Sequence, residues 1–159
     1  MIVKHSDLSG LREKYRDKKI VVGSGVFDLL HLGHVGYIQS LADYGDVVVI
    51  LVKPDARIKK LKHPNRPVIP QDDRAQMVDS IKGVDYVIIG SSDTTGEVDA
   101  MYEKIFKLLN PDKYVSSNDT WSKLRSITEA KVTILPRDKM GHFTSTTAVI
   151  EYIKSIDSF

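Results

Sequence analysis

The sequence predicts an α/β fold, a three-layer α/β/α sandwich around a five-stranded parallel sheet. Three observations carry this. Strand-length apolar runs alternate with segments of helical periodicity along the whole chain. The run from Val47 to Val52, VVVILV, is unbroken, as in a strand covered on both faces of a parallel sheet. Strands that alternate with helices in this way join by right-handed crossovers.

Each element has its own justification. Leu8, Leu11 and Tyr15 stand at helical spacing, so residues 6–16 predict a short helix within a helical lead-in over residues 1–19. Ile20 to Val26, IVVGSGV, reads as the first buried strand. Residues 34–44 read as a helix with Val35, Ile38, Leu41 and Ala42 on one side and Gly45 as its stop. After the strand Val47 to Val52 comes PDARIKKLKHPNRPVIP, residues 54–70. Its proline and basic residues predict a long functional loop with one helical turn.

Residues 71–82 carry Ala75, Met77, Val78 and Ile81 at helical positions, and Val84 to Ile89 is the third strand. Val98 to Leu109 is the clearest amphipathic helix, ended by Asn110 and Pro111. Lys113 to Val115 is the fourth strand, residues 120–129 a helix, and Lys131 to Leu135 the fifth strand. The last helix runs from Thr146 to Ile156 with Ser145 as its N-cap. With 159 residues and no internal repeat, the expectation is one domain over residues 1–159.

Composition narrows the function classes. Hydrophobic residues at 42% and charged residues at 28% match a soluble globular protein. A formal charge of +2 does not point to a dedicated nucleic-acid or membrane binder. The absence of cysteine removes thiol nucleophiles, disulfide frameworks and Cys-based zinc sites. The start, MIVKHSDLSGLREKYRDKK, lacks the apolar core of an export signal, and no apolar run approaches the roughly 20 residues of a membrane span. A cytoplasmic enzyme or binding domain is the expectation.

Parallel sheets bind ligands at the carboxyl ends of their strands. That edge comprises the segments after Val26, Val52, Val115 and Leu135, all of them polar. The first strand runs into Gly25-Val26-Phe27-Asp28-Leu29-Leu30-His31-Leu32-Gly33-His34. Asp28 stands where a dinucleotide fingerprint needs its third glycine, and no P-loop motif occurs anywhere in the chain. What remains is a strand, a turn and two histidines three apart at a helix start, where both imidazoles point the same way. Gly33 between them admits a ligand to the backbone, and the helix N-terminus adds N–H groups and a positive dipole end. These features suit a polyanion, phosphate in particular. Metal chelation and a purely structural pair are the alternatives.

The pattern G-x-F-D-x-x-H-x-G-H, matched by Gly25, Phe27, Asp28, His31, Gly33 and His34, resembles the hallmark of the cytidylyltransferase-like nucleotidyltransferases. The likeness extends through Lys18-Lys19-Ile20-Val21, Asp55-Ala56, Lys59 to Lys62, Asn65-Arg66-Pro67-Val68, Arg74 and Val84-Asp85-Tyr86-Val87. There the chain is most similar to the adenylyltransferase domain of bacterial ADP-heptose synthesis enzymes. Glycerol-3-phosphate cytidylyltransferases and archaeal FMN adenylyltransferases are less close.

The resemblance implies a Rossmann-like nucleotidyltransferase fold and a defined chemistry. A phosphate of the second substrate attacks the α-phosphorus of a nucleoside triphosphate in line, and pyrophosphate leaves. Mg²⁺ bridges phosphate oxygens, with no metal ligands assigned to the protein. His31, His34 and Lys62 are the expected catalytic residues, the histidines adding charge when protonated. Gly25, Val26, Phe27, Asp28, Gly33, Asp119, Arg137, Thr144, Ser145 and Thr146 are expected around the nucleotide. Lys59 and Arg66 are expected at the acceptor, although Lys59 and Lys60 also read as a solvated face and Arg66 as a loop salt bridge.

Two stretches depart from the family pattern. Phe143 stands where relatives have glycine, behind an insertion-like Lys139-Met140-Gly141-His142 in which His142 reads as exposed. Ser116-Ser117-Asn118-Asp119-Thr120-Trp121 replaces a Gly-Asp element near the base. Asp119 can keep the acidic role there, and Trp121 reads as core or as a base stacker.

The first expectation is transfer of a nucleoside monophosphate from ATP to a phosphorylated sugar such as heptose 1-phosphate, in lipopolysaccharide biosynthesis. Alternatives are a CTP-dependent cytidylyltransferase for glycerol 3-phosphate, an FMN adenylyltransferase, and a nucleotide-sensing domain without turnover. The partners expected are a nucleoside triphosphate and a small phosphorylated acceptor, with no nucleic acid or membrane. A homodimer is expected by analogy.

Overall fold

A computed structural model describes residues 1–62, 64–91, 98–116, 130–135 and 145–156. Its elements, in chain order, are β1 (Ile2–Val3), α1 (Leu8–Lys14), β2 (Ile20–Gly25), α2 (Leu32–Ser40), β3 (Val47–Val52), α3 (Asp55–Leu61) and α4 (Gln71–Asp79). There follow β4 (Tyr86–Ile89), α5 (Val98–Leu109), β5 (Lys113–Ser116), β6 (Lys131–Ile134) and α6 (Thr146–Ile156).

The strands form one parallel sheet in the order β1-β4-β3-β2-β5-β6. The chain winds outward from β2 through β3 to β4, then returns to the far side of β2 with β5 and β6. The winding direction reverses beside β2, and a crevice opens at the carboxyl ends of β2 and β5, where such sheets take ligands.

β3 explains the three layers. All six of its residues are buried, so both its faces need cover. Val47, Val49 and Leu51 point to a cluster with Leu8 and Leu11 of α1 and Tyr102, Ile105, Phe106 and Leu109 of α5. Val48, Ile50 and Val52 point the other way, to Tyr37 and Ile38 of α2 and Ala75 and Val78 of α4. The period-2 alternation of a strand thus divides one apolar run between two cores.

Two expectations need correction. The sheet has six strands rather than five, because Ile2 and Val3 pair with Val87 and Ile88. The lead-in over residues 1–19 therefore contains an edge strand besides its helix, with Val87 N donating to Met1 O at 3.0 Å. A two-residue strand held by backbone bonds carries no periodicity to read. The segment after β3 holds nearly two helical turns, α3, rather than one. The helix predicted over residues 120–129 lies outside the described residues.

Candidate nucleotide site

The site starts at the tip of β2. Phe27 (φ 56°) and Leu29 (φ 45°) take left-handed backbone conformations, and these turn the chain sharply between the strand and α2. The turn places the Phe27 ring against the strand end. A Cβ on Gly25 would lie 2.7 Å from that ring, so glycine is required there by close approach. Phe27 is buried, stacks on Tyr37 and meets His34 edge-on with ring centroids 5.4 Å apart. It supports the histidine from below.

His31 is the N-cap residue of α2, with extended backbone and no side-chain cap bond. His34 lies in the first turn. Their rings stack with centroids 3.9 Å apart and planes inclined by 25°. Both nitrogens of His31 and Nδ1 of His34 are shielded from solvent and have no hydrogen-bond partner among the described residues. Buried polar atoms almost always find partners, and an unmet one costs about 1–3 kcal/mol.

Burial pushes the His34 imidazole down to about 4, helped by the His31 and Lys62 charges and opposed by Asp28. Burial also lowers His31. The free site therefore holds two neutral imidazoles at neutral pH, each with one N–H to donate. The charge expected from protonated histidines has to arrive with an anion.

Asp28 is fully buried. Its carboxylate accepts from the amides of Val68 (3.0 Å) and Ile69 (3.0 Å) and pairs with Arg66 at 3.1 Å. Of the two roles open to Arg66, the loop salt bridge is the one the structure displays. Thr146 Oγ1 donates to Asp28 O at 2.8 Å. This bond brings the start of α6 against the β2–α2 turn. Ser145 Oγ accepts from Ala148 N at 3.2 Å, so it is the N-cap of α6.

Arg74 of α4 holds the same region together. It is fully buried and donates to Ile69 O (2.8 Å), Lys53 O (2.9 Å), Val26 O and Asp55 Oδ1 (2.6 Å). One guanidinium thus joins the tip of β2, the tip of β3, the start of α3 and the loop before α4.

The remaining expected residues fall in three groups. Gly25, Val26, Gly33, Ser145 and Thr146 gather around the tip of β2 with the histidines. Lys62 follows α3, exposed, and its charge bears on both His34 and Lys53. Lys59 is exposed on α3. Asp119, Arg137 and Thr144, with Ser117, Trp121, His142 and Phe143, lie outside the described residues.

Sequence reasoning assigned no role to Arg74, Lys53 or Arg57. Arg74 sits in a helix, QDDRAQMVD, that reads as polar, and nothing local reveals that its side chain turns inward. Lys53 and Arg57 look like members of a basic run, yet Arg57 is buried and Lys53 partly so.

The cytidylyltransferase-like family pattern matches residues 22–152. The chain belongs to this family. Membership places it among nucleotidyltransferase enzymes. It is 38% identical over 142 residues to the bifunctional protein HldE of Nitratiruptor sp., an alignment covering 88% of this chain and 29% of that protein. It is 37% identical over 148 residues to HldE of Helicobacter pylori, covering 92% of this chain and 30% of the relative. The chain thus spans about a third of the length of these curated relatives.

Solved structures share the fold. A lipopolysaccharide core biosynthesis protein from Thermoplasma volcanium matches with a TM-score of 0.61 and 24% identity, over 76% of this chain and all but 1% of the other (99%). A pantoate-beta-alanine ligase from Francisella tularensis, solved with beta-gamma ATP and beta-alanine, matches with a TM-score of 0.62 and 14% identity, over 100% of this chain and 78% of the other. Among the described residues, no helix is long and apolar enough to cross a membrane.

Proposed function

We propose that this chain transfers adenylate from ATP to a phosphorylated sugar of the heptose 1-phosphate class and releases pyrophosphate. One observation carries the proposal: the stacked His31–His34 pair, with shielded and unpartnered ring nitrogens, at the start of α2 beside the crevice of the sheet. The likeness to HldE over most of this chain directs the choice of acceptor.

In this reading the phosphates of ATP lie along the start of α2. Each imidazole donates an N–H to a phosphate oxygen, which supplies the missing partner. The anion then raises both imidazole pKa values and favours the charged form. An oxygen of the acceptor phosphate attacks the α-phosphorus, the bond to the bridging oxygen breaks, and pyrophosphate carries the electron pair away. Charge grows on the α- and β-phosphate oxygens, where the two N–H donors and Lys62 stabilise it. Thr146 and Asp28 keep the start of α6 close to the same turn, so its N-terminal amides can face the outer phosphates.

Mg²⁺ enters this reading only by family resemblance. Among the described residues, no three His, Asp or Glu side chains gather to hold a cation, and the Asp28 carboxylate is already engaged. Among the described residues the side chains offer no cation-holding set of their own, and a Mg²⁺ arriving with the nucleotide would neutralise phosphate charge. The cytoplasm, where nucleoside triphosphates are abundant, is the compartment this reading requires.

Pyrophosphate release tests the proposal, with ATP and CTP each paired with heptose 1-phosphate, glycerol 3-phosphate and FMN. Turnover is expected for ATP with heptose 1-phosphate. CTP-dependent turnover, transfer to another acceptor, or nucleotide binding with no product for any pair would overturn it.

A further inference from the structure

We propose that Tyr37 of α2 is a positioning residue for the His31–His34 pair, acting through the Phe27 ring from a hydroxyl anchored between β2 and β5. The inference rests on the transfer reaction above and adds a buried residue that sets where the histidines stand.

The hydroxyl lies at the floor of the crevice. β2 and β5 pair in register as far as Gly23 and Val115. Beside that last pair Tyr37 Oη accepts from Ser24 N at 3.1 Å and donates to Val115 O at 2.6 Å. One side chain thus bonds both walls of the crevice where their ladder ends. Tyr37 is buried, and burial pushes its phenol well above the ordinary 10, so the hydroxyl keeps the proton it donates. Gly23 makes the approach possible. A Cβ there would lie 2.9 Å from Tyr37 Oη and 2.6 Å from Leu41 Cδ1, closer than side chains pack. The first glycine of the Gly23-Ser24-Gly25 run therefore makes room for a protein hydroxyl.

From the hydroxyl a column of rings leads to the histidines. Tyr37 stacks on Phe27 with centroids 6.4 Å apart and planes inclined by 25°. Phe27 meets His34 at 5.4 Å, and His34 stacks on His31 at 3.9 Å. His34 and Tyr37 are three residues apart on α2, so one helix face presents both to Phe27. Phe27 is the joint of the column and the part that needs holding. Its φ of 56° is costly for a bulky side chain, and such a conformation persists only where the surroundings over-determine it. The close approach to Gly25 and the stack on Tyr37 supply that restraint.

A phenylalanine at position 37 would fill the same space. It would lose the two bonds that fix the height of the ring, and the column could then shift against β2 and β5. The consequence falls on rate. Donors to charge developing on the α- and β-phosphates act only when held within about 0.5 Å of the productive geometry. A displacement of about 1 Å costs on the order of 10²-fold. Binding of ATP in the ground state is spread over the starts of α2 and α6 and should suffer less.

The test compares the full chain with Tyr37→Phe, which keeps the ring and loses the hydroxyl, and Phe27→Leu, which keeps the hydroxyl and breaks the column. Ile105→Val, in the core on the other face of the sheet, controls for lost stability. kcat and KM are measured for ATP with heptose 1-phosphate, and the His34 imidazole is titrated by NMR in the free proteins. Tyr37→Phe and Phe27→Leu are expected to lower kcat about tenfold or more, with the KM for ATP within about threefold of wild type. His34, held near 4 chiefly by burial, should move toward 6.5 as its ring loses support. The His31, Asp28 and Lys62 charges that also act on it are the same in every variant. Ile105→Val should change neither kcat nor the His34 value. The proposal is overturned if Tyr37→Phe keeps the wild-type kcat and His34 value, or if Ile105→Val reproduces its loss. Should Tyr37→Phe fail to fold, Phe27→Leu decides: an unchanged His34 value overturns the proposal and a raised one supports it. If the wild type shows no turnover of ATP with that acceptor, the transfer reading falls, and the His34 values of the free proteins still decide whether Tyr37 positions the pair.

Discussion

Two groups of buried polar side chains lie within a few residues of each other and differ in one respect. Asp28 and Arg74 are fully buried and paired: the carboxylate meets two amides and Arg66, and the guanidinium meets three carbonyls and Asp55. His31, His34 and Arg57 have shielded nitrogens with no hydrogen-bond partner in the described structure, and so has Arg66 at Nε, which meets Asp28 only as an ion pair at 3.1 Å. The first group completes its bonding on folding and fixes the tips of β2 and β3. The second leaves bonding to be completed by something from solution. Both kinds are needed for a preorganised site, and the satisfied group positions the unsatisfied one.

Breaking the satisfied group should damage the fold. Arg74→Leu leaves three carbonyls and Asp55 without their buried donor, and about 3–5 kcal/mol of stability should be lost. Urea denaturation with the slope held in view would measure this. A loss below about 1 kcal/mol would mean that the hub does not hold the tips together.

Breaking the unsatisfied group should damage only the reaction. His34→Ala should lower kcat on the order of 10²–10³-fold, as for removal of one preorganised donor to developing charge. The melting temperature should move by less than about 3 °C, since no protein hydrogen bond is removed. Unfolding with near-normal activity per folded molecule would place His34 with Asp28 and Arg74 instead.

The sequence carried the layers well because periodicity is local. The alternating cores on either side of β3, the amphipathic α5 and the Ser145 cap were all legible in residue order. The edge strand β1 was not, since two residues show no period and pair only through backbone bonds to β4. The helical content of α3 was obscured by its setting between prolines and lysines. At the site, the spacing of His31 and His34 and the glycine at position 25 were legible because each acts through neighbours in the chain. The Asp28–Arg66 pair and the inward turn of Arg74 depend on contacts dozens of residues away, which no local pattern encodes. Arg57 was hidden for the opposite reason: a basic run reads as solvated, and burial of one member follows only from where α3 packs.

The central claim is that a triphosphate supplies the partners that His31 and His34 lack. Titration of the His34 imidazole by NMR, in the free protein and with α,β-methylene-ATP bound, tests it most directly. Burial should hold the free value near 4, well below the ordinary 6.5, so the fold favours neutral His34 and loses that contribution as pH falls from 6.5 toward 4. Bound phosphates should raise the value, with proton uptake on binding at pH 5. A His34 value that is the same with and without the analogue, while the analogue is bound, would contradict the account.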